Sequence, residues 1–292
     1  MRQTVRTPRL DIAVECSGPD GGRPLLLLHG WPDAPATWNG VLPILHGNGY
    51  RTLCPALRGF GDTRFLSDET PRAGDLEALG QDLIDLVEAM GLSPATAIGH
   101  DWGARAVYVA AHARPDLFSH AVALSVGWGT NAPDQSMSLP QMQNYWYHWL
   151  MATPRGDALV RADRENFTRY LWQQWMPDVP HDEAAFAEAA AAFRNPDWAD
   201  IVLHGYRVRW GFTTADPHYD GLRAAQARDP VIRVPTLVIH GGADPCNGPA
   251  TSEGRETMFA GPYRRAVLPG VGHFPQREAP AETAAAILDF IA

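Results

Sequence analysis

The chain has 292 residues and a formal net charge of −9 at pH 7, enough length for one large α/β domain or one domain with an insertion. That acidic balance argues against nucleic acid and anionic membrane as partners. No apolar run approaches the length needed to span a bilayer, and the polar start Met1-Arg-Gln-Thr-Val-Arg leads us to expect no secretory signal and a cytoplasmic protein. The three cysteines, Cys16, Cys54 and Cys246, are odd in number and far apart, so they suggest neither a disulfide framework nor a zinc site. We expect buried bystander thiols in a reducing compartment.

In chain order, residues 9–16 alternate as a half-exposed strand, 18–22 form a turn, and 24–29 are a continuous apolar run suited to a strand buried on both faces. Residues 50–55 read as another strand, ending in the loop Arg58-Gly-Phe-Gly-Asp-Thr63. Residues 75–90 place Leu76, Leu79, Leu83, Leu86, Val87 and Met90 on one helical stripe, with Gly91 as the stop. A short buried strand at 95–98, a helix of small residues at 104–113 and a strand at 120–126 follow. This alternation implies a mostly parallel, doubly wound sheet with helices on both faces.

After Ser125 the rhythm changes. Residues 127–228 hold helix-like stretches at 139–151, 155–175, 182–193 and 196–210, and seven of the ten tryptophans lie between 127 and 228. The α/β pattern resumes with a strand at 234–240, a helix near 251–259, a strand at 265–268 and a closing helix at 281–291. We therefore expect a core of residues 1–126 and 229–292, with 127–228 inserted as a helical cap. The tryptophans are either the packing of a small helical layer or an apolar lid over a substrate pocket.

The most informative motif is Gly99-His100-Asp101-Trp102-Gly103, at the junction of a strand and a helix. A residue between glycines at such a junction is held on a tight turn with its side chain presented for reaction. Serine at that position performs acyl transfer. Aspartate points to displacement at a saturated carbon, because the alkyl ester so formed can be hydrolysed whereas a serine ether cannot. That chemistry suits epoxides and carbon–halogen bonds.

Two further residues follow in the chain order such a site requires, nucleophile, acid, histidine. Asp244 lies in Gly241-Gly-Ala-Asp244-Pro after one strand, and His273 in Pro269-Gly-Val-Gly-His273-Phe-Pro after the next. Alone, either is more often structural. Together, Asp244 would fix the imidazole tautomer and His273 would activate water. His100, beside the nucleophile, is expected to serve the packing of the turn.

The loop His29-Gly30-Trp31-Pro32 follows the first buried strand, where backbone N–H groups stabilise an oxyanion together with the residue after the nucleophile. We assign those donors to Trp31 and Trp102. A plain turn, with a cis bond between Trp31 and Pro32, is the alternative reading.

These motifs, together with Arg58-Gly-Phe-Gly-Asp62, make nearly the whole chain resemble the capped α/β hydrolases with an aspartate nucleophile, and among them the epoxide hydrolases. The resemblance implies the α/β-hydrolase fold and two cap tyrosines that hold and protonate the epoxide oxygen, since an alkoxide leaves poorly without a donor. Tyr147, seven residues before Pro154, and Tyr206, in Tyr206-Arg207, match them. His29, Pro32, Trp146, His148 and Trp149 are expected to line the substrate's pocket. The resemblance implies a small apolar or aromatic epoxide and water as reactants, with no metal or organic cofactor; a homodimer is left open.

Haloalkane dehalogenases are similar at the elbow and at Trp102, and Trp146 or Trp149 could supply their second halide donor. Fluoroacetate dehalogenases are similar at Tyr147-His148-Trp149, but of their two arginines after the nucleophile only Arg105 has a counterpart here, with Trp102 in the other place. Arg105 would equally suit an ion pair at the surface or behind the site. A non-catalytic ligand-binding relative of the fold is the reading from a different class.

Overall fold

The computed structural model describes residues 1–130 and 135–292. Its strands are β1 (Arg2–Arg6), β2 (Leu10–Ser17), β3 (Arg23–Leu28), β4 (Tyr50–Pro55), β5 (Arg64–Phe65), β6 (Ala95–His100), β7 (Phe118–Leu124), β8 (Thr236–Gly241) and β9 (Tyr263–Leu268). They form one sheet in the order β1-β2-β4-β3-β6-β7-β8-β9, with β5 paired to β2. The pairings of β1, β4 and β5 with β2 are antiparallel, and every pairing along β4-β3-β6-β7-β8-β9 is parallel.

The leucine run of β3 shows why its strand is apolar throughout. Leu26 and Leu28 join the core on one face of the sheet, with the helices Leu76–Met90 and Trp102–Ala113. Leu25 and Leu27 join the core on the other, with the closing helix Pro280–Ile291. Each fully buried leucine stabilises the fold by roughly 1.5–3 kcal/mol relative to exposure. The two helices on the first face pack closely: a Cβ on Gly80 would lie 2.3 Å from Cγ1 of Val109. Gly91 ends the first of them in the left-handed conformation, at φ 61°.

The register brings the catalytic candidates to one edge. Leu28 pairs with Gly99, Gly99 with Ala123, Leu124 with Ile239, and Gly241 with Leu268. The loops that follow β3, β6, β8 and β9 therefore leave the same end of the sheet. The chain winds outward from β3 to β4 and then returns to β6, so the loops after β3 and β6 diverge at a topological switch point, where such sheets open a crevice.

Between β7 and β8 the described residues form only helices, at Leu139–Asn144, Trp146–Met151, Pro154–Ala162, Arg164–Trp175, Glu183–Ala191, Trp198–Arg209 and Asp220–Arg228, joined by short 3-10 turns. Two stretches expected as single helices are divided. The break at Tyr145 splits the first, and Asp163, at φ −145°, splits the second. Thr153 caps the helix opened by Pro154, its side chain accepting from the Gly156 N–H.

Three further departures have local causes. The helix expected at 251–259 is instead two 3-10 turns, Pro249–Ser252 and Glu256–Met258, separated by Gly254 at φ 67°. The helix Asp220–Arg228 buries none of its side chains and β1 buries none of its own, so neither writes an apolar period into the sequence. Trp31–Pro32 is cis, as is Ser93–Pro94. No helix among the described residues is long and apolar enough to cross a membrane.

The contact at Gly80 gives a test of the packing. Alanine there should gain about 1 kcal/mol of helix propensity but lose about 1–3 kcal/mol to overpacking, since Cβ of Val109 also lies only 2.5 Å away. Gly80→Ala is expected to lower the urea midpoint; a higher midpoint would mean the two helices can separate at little cost.

Candidate active site

β6 ends at His100 and the helix Trp102–Ala113 begins two residues later, so Asp101 makes the turn alone, at φ 47° and ψ −110°. A non-glycine residue held there costs about 1–3 kcal/mol and persists only where its surroundings enforce it. They do so here through backbone bonds from Asp101 N–H to the Leu124 carbonyl (3.1 Å) and from Arg105 N–H to the Asp101 carbonyl (3.0 Å). Space is short as well. A Cβ on Gly99 would lie 2.3 Å from the carbonyl carbon of Gly103, one on Gly103 2.5 Å from the Leu28 oxygen, and one on Gly30 2.5 Å from Cβ of Asp101.

The Asp101 carboxylate is buried at 6% exposure, and its Oδ1 accepts the Trp31 backbone N–H at 3.1 Å. Trp102 opens the helix, so its N–H belongs to the turn that has no partner within the helix. His29 shapes the loop that carries Trp31. Its Nε2 accepts from Leu57 N–H at 3.1 Å and its Nδ1 donates to the Gly30 carbonyl at 2.9 Å, with burial pushing its pKa down to about 4. His29 is thus a neutral brace behind the loop. The carbonyl of Pro32 accepts from the Trp172 indole at 2.7 Å, tying the loop to the helix Arg164–Trp175.

His273 Nδ1–H donates to Asp244 Oδ2 at 2.9 Å, and both side chains are fully buried. Asp244 Oδ1 accepts the backbone N–H groups of Cys246 (2.8 Å) and Asn247 (3.0 Å). Burial raises the Asp244 pKa, but the nearby charge of His273 and contacts with His240 and His273 more than offset it and hold the carboxyl far below its usual range. Burial lowers the His273 pKa, and the charge and hydrogen bond of Asp244 outweigh it, leaving the imidazole above 6.5. With Nδ1 committed, Nε2 carries the lone pair. It has no hydrogen-bond partner among the described residues and lies 3.9 Å from Asp101 Oδ2, too far for a hydrogen bond.

The backbone of His273 is fixed on every side. Its N–H donates to the Trp175 carbonyl at 3.0 Å, and its carbonyl accepts from His100 Nε2 and Ser125 Oγ, both at 2.8 Å. The Glu278 carboxylate spans the residue, accepting from Gly272 N–H and Phe274 N–H at 2.8 Å each. Burial lowers the His100 pKa to about 4, so it donates as a neutral ring. Ser125, Trp175 and Glu278 were not anticipated from sequence. Only Glu278 left a trace there, as a carboxylate five residues after the histidine of a glycine-rich loop.

Tyr147 and Tyr206 come from separate helices and meet over Trp31. The Trp31 ring stacks on Tyr147 (centroids 5.6 Å, 14°), meets Tyr206 edge-on at 5.0 Å, and lies 5.9 Å from Trp175. The tyrosine rings are 5.5 Å apart. Burial raises both phenol pKa values well above 10, so both hydroxyls keep their protons and remain donors at neutral pH. The Tyr147 hydroxyl is 3.4 Å from the Cys246 sulfur.

The remaining expected pocket residues are spread outward. His148 stacks on Tyr145 at 4.3 Å and lies 4.5 Å from the Tyr206 ring, its Nδ1 accepting from the Trp210 indole at 3.0 Å. Trp146 touches Tyr147 but is 37% exposed. The Trp149 indole turns away to donate to the Met142 carbonyl, with Trp210 as its nearest ring neighbour at 5.0 Å. Arg105 is buried, not at the surface, and forms no ion pair among the described residues.

Asp244, Cys246 and His273 offer donor atoms within 4.8 Å of one another. Burial keeps the Cys246 thiol well above its ordinary pKa, and both Asp244 oxygens already accept hydrogen bonds. This geometry is a histidine–carboxylate pair beside a protonated thiol, ill suited to a metal that needs thiolate. Cys54 is likewise buried, Cys16 is partly exposed, and all three cysteines are free.

A family model described as the alpha/beta hydrolase fold matches residues 23–280. Epoxide hydrolase A of Mycobacterium tuberculosis (strain ATCC 25618 / H37Rv) is 29% identical, over 98% of this chain and 96% of its own. An epoxide hydrolase of Caballeronia sordidicola is 28% identical, over 96% and 91%. The solved structure of a Klebsiella pneumoniae protein, provisionally assigned as an epoxide hydrolase, superposes with a TM-score of 0.91 at 34% identity, covering 99% of this chain and 96% of that one.

The Asp244–His273 pair has a signed pH dependence. His273, raised, contributes stability below about 6.5 that is lost as pH rises through its folded pKa; Asp244, lowered, contributes stability above the usual carboxylate range that is lost toward lower pH. The pair is therefore most stabilising between those two limits. In Asp244→Asn the raising influence is gone and burial remains, so the imidazole should titrate about one pH unit lower or more. Histidine resonances followed by NMR check this; an unmoved titration would separate His273 from Asp244.

Proposed function

We infer that this chain, which belongs to the alpha/beta hydrolase fold family, is an epoxide hydrolase, converting an epoxide and water to a vicinal diol. The observation that carries the reading is a buried carboxylate at the elbow, Asp101, close to two protonated tyrosines and to a buried histidine–carboxylate pair. The epoxide hydrolases of M. tuberculosis and C. sordidicola, similar over nearly the whole chain, support it. We read residues 127–228 as a cap on a core of 1–126 and 229–292. The aromatic wall of Trp31, Trp175, Tyr147 and Tyr206 favours an apolar or aromatic epoxide. Three free cysteines suit a reducing cytoplasm.

In this mechanism Oδ1 of Asp101 stays on the Trp31 N–H while Oδ2 attacks a ring carbon from its back side. The carbon–oxygen bond of the ring breaks, and its electron pair goes to the oxygen, which takes a proton from Tyr206 or Tyr147. Water then adds to the carbonyl carbon of the Asp101 ester as His273 Nε2 accepts its proton. The N–H groups of Trp31 and Trp102 hold the oxyanion of the tetrahedral intermediate. Collapse breaks the ester bond, the departing alkoxide takes the proton held by His273, and the proton of the newly formed Asp101 carboxyl returns to the tyrosinate as the diol is released. One oxygen of the restored carboxylate then derives from water.

The separation of 3.9 Å between His273 Nε2 and Asp101 Oδ2 fits these roles. The imidazole does not hold the nucleophile's proton, and the gap is of the order that a bridging water spans. Burial keeps the tyrosines acidic only toward a strong base such as a developing alkoxide, which suits proton donation late in ring opening.

Two experiments test the scheme. Incubating His273→Gln with styrene oxide should leave protein heavier by one styrene oxide, with the added mass on the peptide containing Asp101; unmodified protein that still forms diol would exclude the ester. Tyr206→Phe should slow single-turnover ring opening by about 100-fold. An unchanged burst of alkyl-enzyme would take Tyr206 out of the reaction.

A further inference from the structure

Beside the reacting centre lies a cavity of about 390 Å³, walled by the helices Trp102–Ala113 and Trp198–Arg209 and the segment after β7. Asp101, Tyr147, Tyr206 and His273 do not line it. The partition is thin: Gly205 faces the cavity, and a Cβ there would be 3.1 Å from Cη2 of Trp102.

Three arginines line this cavity; Arg223 is paired with Asp75 and Glu77, and the other two are more than nine-tenths buried, Arg105 at 4% exposure and Arg209 at 8%. Neither has an ion-pair partner among the described residues. Among the described residues Arg105 Nη1 donates to Thr130 alone, at 3.3 Å to its carbonyl and 3.2 Å to its hydroxyl, and its Nε is unpartnered. Arg209 leaves Nε and Nη2 unpartnered and lies over the Tyr206 ring, 5.1 Å from its centroid. Burial lowers the Arg105 pKa, and the charge of Arg209 lowers it further, so the two cations repel. Unpaired buried charges are costly, and a pair of like sign doubly so.

We propose that this cavity binds a small organic monocarboxylate through the guanidinium groups of Arg105 and Arg209. The planar fork of arginine matches a carboxylate in two parallel hydrogen bonds. The walls at Tyr108, Val109, Trp128 and Val208 suit an apolar body. Asp75 and Glu77 line the same cavity, 3.5 Å and 3.4 Å from Arg223, and would repel a second negative group on the ligand. The acid is either the tail of the substrate itself, reaching past Gly205, or a separate molecule.

Hexanoate serves as the probe and hexanol as its neutral counterpart, with binding measured by calorimetry and by the shift in Tm. Hexanoate should bind saturably and raise Tm, hexanol should not, and Arg209→Met should weaken hexanoate at least ten-fold. Arg209→Lys, which keeps the charge, should retain part of the affinity. The free Arg209→Met protein should melt no lower than the parent, because it loses an uncompensated charge; a merely structural arginine predicts the opposite. Equal binding of hexanoate and hexanol, or unaltered affinity in Arg209→Met, overturns the proposal; if that variant fails to fold, the first comparison decides alone. A second arm, which rests on the epoxide reading, compares 5,6-epoxyhexanoate with its methyl ester. A KM at least ten-fold lower for the acid, with competition by hexanoate, assigns the site to the substrate's tail. Equal KM values without competition assign it to a separate acid. Failure of the epoxide reading would show differently, as no turnover of either compound while hexanoate still binds.

Discussion

The site depends on a chain reversal made by one residue in almost no space. Asp101 turns the backbone between β6 and its helix while the loop after β3 presses against it, and glycine at positions 30, 99 and 103 lets three backbone segments meet at distances that a Cβ would forbid. The strain at Asp101 is thus imposed by packing on all sides. Its consequence is chemical. The same squeeze sets the Trp31 N–H 3.1 Å from the carboxylate and places the start of a helix directly beneath it. The Asp101 carboxylate and the N–H groups of Trp31 and Trp102 are held by one constraint, so neither can drift without the other.

The histidine is held by a different device, which joins the helical segment to the core. His273 takes one backbone bond from the segment, at Trp175, and two from the sheet side, at His100 and Ser125, with Glu278 bracing the peptides on both sides of it. Trp172, three residues before Trp175 on the same helix, donates to the Pro32 carbonyl in the loop that carries Trp31. One short length of helix therefore touches both His273 and that loop. A movement of that segment would reach the chemistry through hydrogen bonds as well as through the aromatic wall.

Much of this was legible in the sequence, for reasons that differ from part to part. The parallel strands declared themselves because burial on both faces demands unbroken apolar runs, as at Leu25–Leu28, and the elbow declared itself because glycines flank a charged residue there. The grouping of Asp101, Asp244 and His273 could be read from chain order, since each follows a strand. What stayed hidden was what long-range packing decides. β1 and the helix Asp220–Arg228 bury no side chains. The hydrogen bond from Ser125 to the His273 carbonyl spans 148 residues, and no local pattern can announce it. Arg105 could be placed from sequence only as one arginine after the elbow; that it is buried beside Arg209, from a helix about a hundred positions on, is a fact of the fold alone.

The charges behind the elbow connect these pieces. Asp101 and Asp244 are buried carboxylates, and Arg105 and Arg209 are buried guanidinium groups, yet among the described residues only Asp244 has a partner of opposite charge within hydrogen-bond distance, in His273. Arg105 feels Asp101 at a distance, as does His273, and in both the carboxylate favours the protonated form. Esterification of Asp101 removes that influence in the middle of the proposed cycle. The His273 pKa then falls toward what Asp244 alone sustains, which makes the neutral base more available when water must be activated. The same event leaves the two arginines with less compensation than before. A site whose nucleophile loses its charge halfway through the proposed reaction thus holds more of its histidine neutral and becomes more cationic beyond Gly205, and the first of these changes favours the hydrolytic step over return of the ring.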